Sequence, residues 1–451
     1  MVQNLTHRLK AMTKGFLRHP LHHRATPAEA FSALCGERPN ALWLDHHGER
    51  GSGVSYVALG HPLTLSRNWR AEVRSAWSDL SVPDSSDLRG VPLGLHLVLP
   101  YEVGSQTLGI EHSGDVIPRA LEVDQLLEIH HDSGEVIAWA LGSPDALAPW
   151  VESVEHALEA VSPVADPALD PVSSVSWRDS EERYLEMIHR AQDFIAQGDA
   201  YQLCVTTSLS LSAHVDPVAL HRVMRESNPT HHQALMRFED VTLVSASPET
   251  FLSVSAGGEV ITRPIKGTRP RGATPEQDGA LSAELLESDK ERAENLMIVD
   301  LMRNDLSRVC ETGSVRVPEL LVVESYATVH QLVSTITGQI RGGLDLLDVL
   351  EATFPAGSMT GAPKKRAVEI LQELEGHPRG LYSGTYGVWR ADGSAEFAMT
   401  IRTAIVGPDS LTVGVGGGIT ALSEPAEEIR EVGIKAQAFL RALGAEQVGY
   451  S

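Results

Sequence analysis

Two pairs of glutamates, each spaced three residues apart, are the first candidates for chemistry in this 451-residue chain. Glu291 and Glu294 lie in a helix predicted over 282–306, and Glu428 and Glu431 lie in one predicted over 425–443. Residues three apart share one face of a helix. If the two faces met, their carboxylates would form a hard, oxygen-rich site suited to Mg²⁺. The same spacing is common on solvated helix faces, so the spacing alone leaves both interpretations open.

A lysine in a segment rich in glycine and proline is the candidate nucleophile. Residues 262–272 read TRPIKGTRPRG, and the prolines and glycines predict a shaped loop. Lys266 is either a surface charge or a buried amine that is neutral enough to attack carbon. Glu249, in the segment SPETF after an apolar strand, could act with it as an acid.

Glycine-rich and cationic positions toward the C-terminus could hold an anionic ligand. The run GVGGG at 414–418 follows a strand, and glycine allows a ligand to approach the backbone closely. Residues 357–363 form a turn ahead of a predicted helix, where free backbone N–H groups can bind an anion. Arg402 lies in an otherwise apolar strand, so its charge requires either a substrate carboxylate or a structural aspartate.

The hydrophobic pattern around these residues predicts a mixed α/β (α+β) fold with a largely antiparallel sheet. A helix is predicted to begin at a cap, Asp179, and to end at Gly198. Further helices and strands are predicted from periodicity and turn residues. The helix is 362–373, and the strands are 201–211, 241–245, 259–262, 386–390, 397–404 and 411–414.

A proline- and serine-rich stretch, VSPVADPALDPVSSVS at 161–176, predicts a linker. We therefore expect an N-terminal lobe at 1–165, a linker at 166–178 and a catalytic domain at 179–445.

Composition narrows the functional classes. The formal net charge of −23 repels nucleic acid, and it would repel an anionic substrate unless the site holds local positive charge or a metal. No stretch approaches the roughly 18 consecutive apolar residues of a membrane span. The three cysteines, Cys35, Cys204 and Cys310, are too few and too widely spaced for a disulfide framework. The sequence predicts a cytoplasmic protein without nucleic-acid or membrane partners.

A set of segments in fixed order carries a family resemblance. The segments are GDAYQ, SPETF, TRPIKGTRPRG, ERAENLMIVDLMRNDL, VHQLVSTITG, FPAGSMTGAPKKRAVEI, LYSGTYG, TIRTA, VGGGI and EEIRE. Together they resemble the chorismate-utilising enzymes, strongly from about 179 to 443 and more loosely before. The resemblance implies two intertwined lobes around a largely antiparallel β-sandwich with outer helices. It also implies an N-terminal lobe like that of anthranilate synthase component I, where an aromatic amino acid could bind and regulate.

Two positions separate the branches of this family. Isochorismate and salicylate synthases carry a water-activating lysine where this chain has Gln202, so Gln202 resembles the ammonia-using branch. Anthranilate synthases usually read Pro-Ile-Ala-Gly-Thr where this chain reads PIKGT at 264–268, and the lysine resembles aminodeoxychorismate synthase component I. Arg269 is more typical of anthranilate synthase component I, which is the alternative. A second alternative is a non-catalytic chorismate-binding relative, which the intact acidic residues and Lys266 disfavour.

The resemblance also implies a metal and a covalent step. Mg²⁺ would be held by Glu294 and Glu431, with Glu291 and Glu428 in or near its coordination shell. Lys266 would attack C2 of chorismate.

Glu249 would protonate the departing C4 hydroxyl, and ammonia would enter at C4 and expel the lysine. The product would be 4-amino-4-deoxychorismate, a precursor of para-aminobenzoate and folate.

Substrate-binding residues are carried over in the same way. Carboxylates would be held by Tyr382, Arg402 and the backbone of Gly416, Gly417 and Gly418, and Thr268, His330 and Gln202 match further pocket positions. No cysteine lies in the Gly-x-Cys-x-Gly setting of a glutaminase nucleophile. We therefore expect ammonia to come from a separate glutamine amidotransferase subunit.

Overall fold

Two antiparallel sheets form the centre of the fold. The structure is a computed structural model that describes residues 15–47, 53–82, 86–88, 90–112, 116–170, 172, 175–326 and 329–445. Its strands are β1 (Phe16–Arg24), β2 (Ala41–His47), β3 (Gly53–Leu59), β4 (His61–Pro62), β5 (Gly94–Leu99), β6 (Arg119–Val123), β7 (Gln125–His130), β8 (Glu135–Leu141), β9 (Ser176–Trp177), β10 (Gln202–Leu211), β11 (His232–Arg237), β12 (Thr242–Ser247), β13 (Thr250–Val254), β14 (Glu259–Thr262), β15 (Ile265–Pro270), β16 (Arg316–Ser325), β17 (Val329–Gln339), β18 (Gly361–Ala362), β19 (Thr385–Arg390), β20 (Ala395–Met399), β21 (Thr403–Val406) and β22 (Leu411–Ile419).

The strand order mixes early and late parts of the chain. The first sheet runs β1-β8-β7-β3-β2-β11-β12-β21-β22-β10-β18, with β9 beside β10. The second runs β15-β17-β14-β13-β20-β19-β5-β6-β4, with β16 beside β17. In each sheet, a strand that precedes the predicted linker pairs with one that follows it. These pairs are β2 with β11 in the first sheet and β5 with β19 in the second. This arrangement confirms the predicted intertwined lobes.

The inner faces of the two sheets pack on each other in the N-terminal half of the fold. Leu42 and Met236 from the first sheet share one buried cluster with Val98 and Ala398 from the second. Alternate residues of a strand point to opposite faces, so each strand contributes every second residue to this layer. The other faces of the sheets are free to receive helices.

Helices cover those outer faces. They are α1 (Pro27–Leu34), α2 (Trp69–Leu80), α3 (Tyr101–Thr107), α4 (Pro144–Ala160), α5 (Glu181–Ala196), α6 (Pro217–Ser227), α7 (Pro275–Glu287), α8 (Asp289–Ser307), α9 (Leu346–Thr353), α10 (Lys364–Glu375) and α11 (Pro425–Ala442). The apolar faces of α5, α6, α10 and α11 form one buried cluster with β10 and β22. Among the described residues, no helix is both long and apolar enough to cross a membrane.

Two elements predicted as continuous are each broken in two. The helix predicted over 282–306 is α7 followed by α8, because Ser288 leaves the helical conformation and caps α8 by accepting from the N–H of Glu291 at 3.4 Å. The strand predicted over 397–404 is β20 followed by β21. Arg402, between them, has a left-handed φ of 48°, which interrupts the ladder.

Two local predictions near the site were also wrong. Residues 265–270 form a strand, β15, rather than a loop, because β17 supplies a hydrogen-bonding partner along its length. Helix α5 is capped by Ser180 rather than Asp179, and Asp179 instead accepts from the hydroxyl of Thr207 at 2.8 Å. The strand depends on pairing with residues that are distant in sequence, and the change of cap is a one-residue difference in the helix boundary.

Candidate active site

A bulge in β15 places Lys266. Lys266 pairs with Leu332 of β17, and the register then shifts before Thr268. Gly267 occupies the bulge with φ of 73°, a conformation that glycine adopts without strain. A Cβ on Gly267 would lie 2.9 Å from the carboxylate of Glu291. Glycine at this position therefore also leaves room for one of the candidate metal-binding acids.

Gly418 of β22 is the point where the candidate residues converge. A Cβ built on Gly418 would lie 2.7 Å from Gln202 Nε2, 3.3 Å from Glu294 Oε2 and 3.4 Å from Lys266 Nζ. These side chains come from β10, α8 and β15, so both sheets and one helix meet here. The space that a side chain would fill is left open above the glycine backbone.

Lys266 is largely buried beside acidic groups, with 12% of its side chain exposed. Its Nζ lies 3.6 Å from Glu294 Oε2. Burial lowers the pKa of the Lys266 amine, but Glu294, Cys204 and Glu249 outweigh this effect and raise it above its ordinary value. The ammonium form is therefore favoured in this arrangement, which matches neither of the two sequence hypotheses, a surface charge or a buried neutral amine. The difference arises because the carboxylate of Glu294 faces it directly.

Glu249 has the properties of a proton donor. It lies immediately before β13, with 8% of its surface exposed. Burial raises the pKa of Glu249 to about 7, and hydrogen bonding to Ser358 and the charge of Lys266 partly oppose this. A carboxylic acid with such a pKa keeps a large protonated fraction near neutral pH.

One acid from each predicted carboxylate pair, Glu294 of α8 and Glu428 of α11, contacts the same lysine. Lys290 Nζ lies 2.6 Å from Glu428 Oε1 and 4.0 Å from Glu294 Oε1. Glu431 is half exposed and pairs with Lys435 at 2.7 Å, which holds the pKa of Glu431 below its ordinary value. The fold thus brings Glu294 and Glu428 to one lysine, whereas Glu431 pairs within its own helix.

The fit of these donors to a metal ion depends on which of them lie close together. Within the described ranges, no three histidine, cysteine or acidic side chains are close enough to hold one as they stand. The nearest acidic groups, Glu294 and Glu428, are both buried and both directed at the same lysine, Lys290. Carboxylate oxygens suit Mg²⁺, so the donor set fits such an ion once the lysine contacts are exchanged for it.

Arg402 and Tyr382 lie next to the glycine run. The Tyr382 ring occupies the space where a Cβ on Gly414 would be, so only glycine fits there. Burial lowers the pKa of the Arg402 guanidinium, while Tyr382 and Glu431 raise it. No described carboxylate lies within ion-pair distance of Arg402, which favours an external anion over a structural aspartate.

Gln202 is fully buried and carries unsatisfied polar atoms. Its side-chain oxygen and nitrogen both lack hydrogen-bond partners among the described residues. A buried amide without partners is destabilising, on the order of 1–3 kcal/mol. A ligand or water that accepts a hydrogen bond from Gln202 Nε2 and donates one to Gln202 Oε1 would satisfy both atoms.

Two predicted pocket residues are not brought to this centre. Thr268 follows the bulge and is exposed. His330 is buried, but its Nδ1 bonds to the hydroxyl of Ser325 at 2.8 Å and its Nε2 bonds to Asp278 at 2.9 Å. Neither ring nitrogen is free for a substrate in this arrangement.

Two residues near the site were missed from the sequence. Ser358, in the turn before β18, contacts Glu249, and Lys290 joins α8 to α11. Lys290 carried a signal, because a lysine in the first turn of a helix opposes the helix dipole. Ser358 lies in the glycine-rich turn that was interpreted only as an anion site.

Two cavities bear on the predicted regulatory pocket for an aromatic amino acid. The cavity between the sheets beside Asp45, His232 and Glu396 has a volume of about 50 Å³. Small-molecule pockets usually measure about 300 Å³ or more, so this cavity does not accommodate an aromatic amino acid as it stands. A cavity of about 610 Å³, with Phe31 and Val406 in its wall, contains none of the candidate residues.

Comparison with known proteins gives a consistent assignment. Residues 60–441 match the chorismate binding enzyme family. The aminodeoxychorismate synthases of Streptomyces pristinaespiralis and Streptomyces griseus are 40% and 39% identical over 93% and 92% of this chain. The chain covers only 64% and 62% of the length of these relatives.

Solved structures agree on the fold. The crystal structure of anthranilate synthase component I from Streptococcus pneumoniae TIGR4 is 25% identical, has a TM-score of 0.71 and covers 96% of this chain and 92% of its own. The menaquinone-specific isochorismate synthase of Escherichia coli has a TM-score of 0.72 at 19% identity, over 98% of each chain. The second likeness concerns the fold alone.

Proposed function

Because this chain belongs to the chorismate binding enzyme family, we propose that it converts chorismate and ammonia into 4-amino-4-deoxychorismate. The observation that carries the proposal is the position of Lys266, whose Nζ lies beside Glu294 and Gln202 in the open space above Gly418. The identity to aminodeoxychorismate synthases over most of the chain supports the same branch.

The first proposed step forms a bond between the Lys266 nitrogen and C2 of the ring. Both ring double bonds shift, the C4–O bond breaks, and Glu249 gives its proton to the departing hydroxyl, which leaves as water. Lys266 must attack as a neutral amine, so its ammonium form first loses a proton to solvent. After the C2–N bond forms, the nitrogen loses a second proton, which restores the acid form of Glu249, and it remains as a neutral secondary amine. The high pKa of Glu249 suits it to this donation near neutral pH.

In the second step ammonia attacks C4, both double bonds shift back, and the C2–N bond breaks. The added nitrogen loses a proton and the departing Lys266 amine regains one. The net reaction consumes chorismate and ammonia and releases the aminated product and water. Two successive allylic displacements return the substituent to C4, whereas a single attack at C2 would lead toward anthranilate.

We propose that Mg²⁺ is held by Glu294 and Glu431, with Glu291 and Glu428 in or near the shell. When bound, the ion would supply positive charge that offsets both the ring carboxylate and the Glu294 charge beside Lys266. Arg402 and the phenol of Tyr382 would hold substrate carboxylates. Burial raises the pKa of Tyr382 above its ordinary value, so the phenol remains a hydrogen-bond donor.

We propose a glutamine amidotransferase partner as the source of ammonia. Ammonia is mostly protonated at neutral pH and is then not a nucleophile, so direct delivery from a glutamine-cleaving site favours the reaction. The product would enter para-aminobenzoate and folate synthesis, and we propose the cytoplasm as the site of action.

The test is a product assay with chorismate, Mg²⁺ and an ammonium salt at mildly alkaline pH, read by mass spectrometry. Aminodeoxychorismate without pyruvate is the expected product, and anthranilate with pyruvate would instead identify the tryptophan branch. Lys266→Ala should abolish product formation, because no other described amine replaces it at C2. The matched control is Lys365→Ala, since Lys365 is exposed and has no ion pair with a described residue.

A further inference from the structure

Lys290 lies between buried carboxylates of two helices. Its Nζ is 2.6 Å from Glu428 Oε1 and 4.0 Å from Glu294 Oε1. The side chain of Glu428 is 1% exposed and that of Glu294 is 7% exposed. Lys290 itself is 27% exposed, so its ammonium group can reach solvent without a backbone change.

The position of Lys290 in its helix requires an explanation. It is the second residue of α8, after the Ser288 cap and Asp289. The N-terminus of a helix carries partial positive charge, and a cation in the first turn is disfavoured by roughly 0.3–1 kcal/mol. Its neighbours Asp289 and Glu291 are the acidic residues that the first turn normally favours. The contact with Glu428 supplies the compensating interaction.

The carboxylates that Lys290 contacts also need a cation. A buried carboxylate without a partner is destabilising by several kcal/mol. One oxygen of Glu294 faces Lys266 at 3.6 Å, and the other faces Lys290. Glu428 has Lys290 as its ion-pair partner among the described residues. The lysines thus neutralise the acidic cluster where the proposed metal ion would bind.

We propose that Lys290 is a resident cation that holds Glu428 and Glu294 in the metal-free protein and leaves Glu428 when Mg²⁺ binds. This inference rests on the proposed function, which places the ion among these carboxylates. Lys290 and the ion then compete for Glu428. Lys290 is accordingly a positioning residue, and it lowers the affinity of the empty site for the metal.

The sign of the change in metal affinity tests this competition. Lys290→Met should bind Mg²⁺ about tenfold more tightly in calorimetric titrations without chorismate, because the cation that competes for Glu428 is gone. A tenfold change in affinity corresponds to about 1.4 kcal/mol of binding free energy. The same variant should melt at a lower temperature in EDTA, and Mg²⁺ should restore much of the loss. An unchanged or weaker Mg²⁺ affinity would overturn the proposal.

Two controls separate position from charge. Lys290→Arg keeps a cation at this position and should stay near the wild-type affinity. Lys365→Met removes one positive charge from an exposed site and should leave Mg²⁺ binding unchanged. If Lys365→Met tightened binding as much as Lys290→Met, net charge alone would explain the effect and the proposal would be wrong.

A measurement on the wild-type protein covers the case in which Lys290→Met does not fold. Acetylation of lysines, followed by peptide mass spectrometry, should label Lys290 faster with Mg²⁺ than in EDTA, while Lys365 is labelled equally. Equal or slower labelling of Lys290 with Mg²⁺ would refute the displacement. Normal aminodeoxychorismate formation by the wild type alongside that result would leave the proposed function standing.

Discussion

Gly418→Ala tests whether the residues around this glycine form one working site. The added methyl carbon would lie 2.7 Å from Gln202 Nε2 and 3.3 Å from Glu294 Oε2. Gly418 does not have a left-handed φ, so alanine introduces no backbone strain of that kind. The substitution therefore changes the space inside the site more than the strand that carries it.

The expected magnitude follows from these distances. Ordinary contacts of a Cβ begin at 3.4 Å, so the amide of Gln202 must move by about 0.7 Å. Glu294 and Lys266 must also move, or else the methyl group occupies part of the space proposed for the substrate. Misplacement by about 1 Å commonly reduces catalysis by about 100-fold, and we expect a loss of this size in kcat/KM. Removing a glycine from the unfolded chain stabilises by roughly 0.4–1 kcal/mol, which should offset the crowding and leave the melting temperature within a few degrees.

The assay compares the initial rate of aminodeoxychorismate formation in Gly418→Ala, the wild type and Gly342→Ala. Gly342 is the control, because a Cβ there meets no atom within 4 Å and its φ is ordinary. Gly342→Ala should keep full activity. Wild-type kcat/KM in Gly418→Ala would refute the convergence of Gln202, Glu294 and Lys266 on the reacting ring.

Two further substitutions test the acid and a buried ion pair. Glu249 must be protonated to donate a proton, so kcat/KM should fall as the pH rises through about 7. Ser358→Ala removes a hydrogen bond that lowers the pKa of Glu249, so this fall in kcat/KM should move to higher pH. If the pH of the fall does not move, Glu249 is not the group that causes it. Lys364 Nζ lies 2.6 Å from both Asp305 Oδ2 and the Thr353 carbonyl oxygen in the core, so Lys364→Met should reduce the free energy of unfolding by about 3–5 kcal/mol in urea titrations. A loss below about 1 kcal/mol would show that the buried carboxylate finds another partner.

The candidate acids were predictable because their geometry is local. The i, i+3 spacing of Glu291 and Glu294 depends only on the helix, and the boundaries of α11 agree with the prediction within one residue. The strand that carries Lys266 was not predictable in the same way. Its prolines and glycine favour a loop locally, and it becomes a strand because β17, more than sixty residues later, pairs with it.

Contacts between distant elements and local backbone conformations could not be predicted from the residue pattern either. Nothing in the sequence near Lys290 indicates that Glu428 is its partner, since the two residues lie 138 positions apart in different helices. Similarly, the left-handed conformation of Arg402 interrupts a run that reads as one strand. The resemblance to a family predicted the fold and proposed the site residues, but the raised pKa of Lys266 became evident only from its contact with Glu294.

The strand order has a consequence for how the chain can be divided. The proline-rich stretch near 161–176 resembles a hinge between separable units, yet β2 and β5 find their neighbours β11 and β19 beyond it. Two fragments made by cutting there would each expose unpaired strand edges, which aggregate readily on their own. Mixed together, the same edges are complementary, so the molecule is suited to fragment reassembly. Recovery of the proposed chorismate turnover would report that the two fragments have associated.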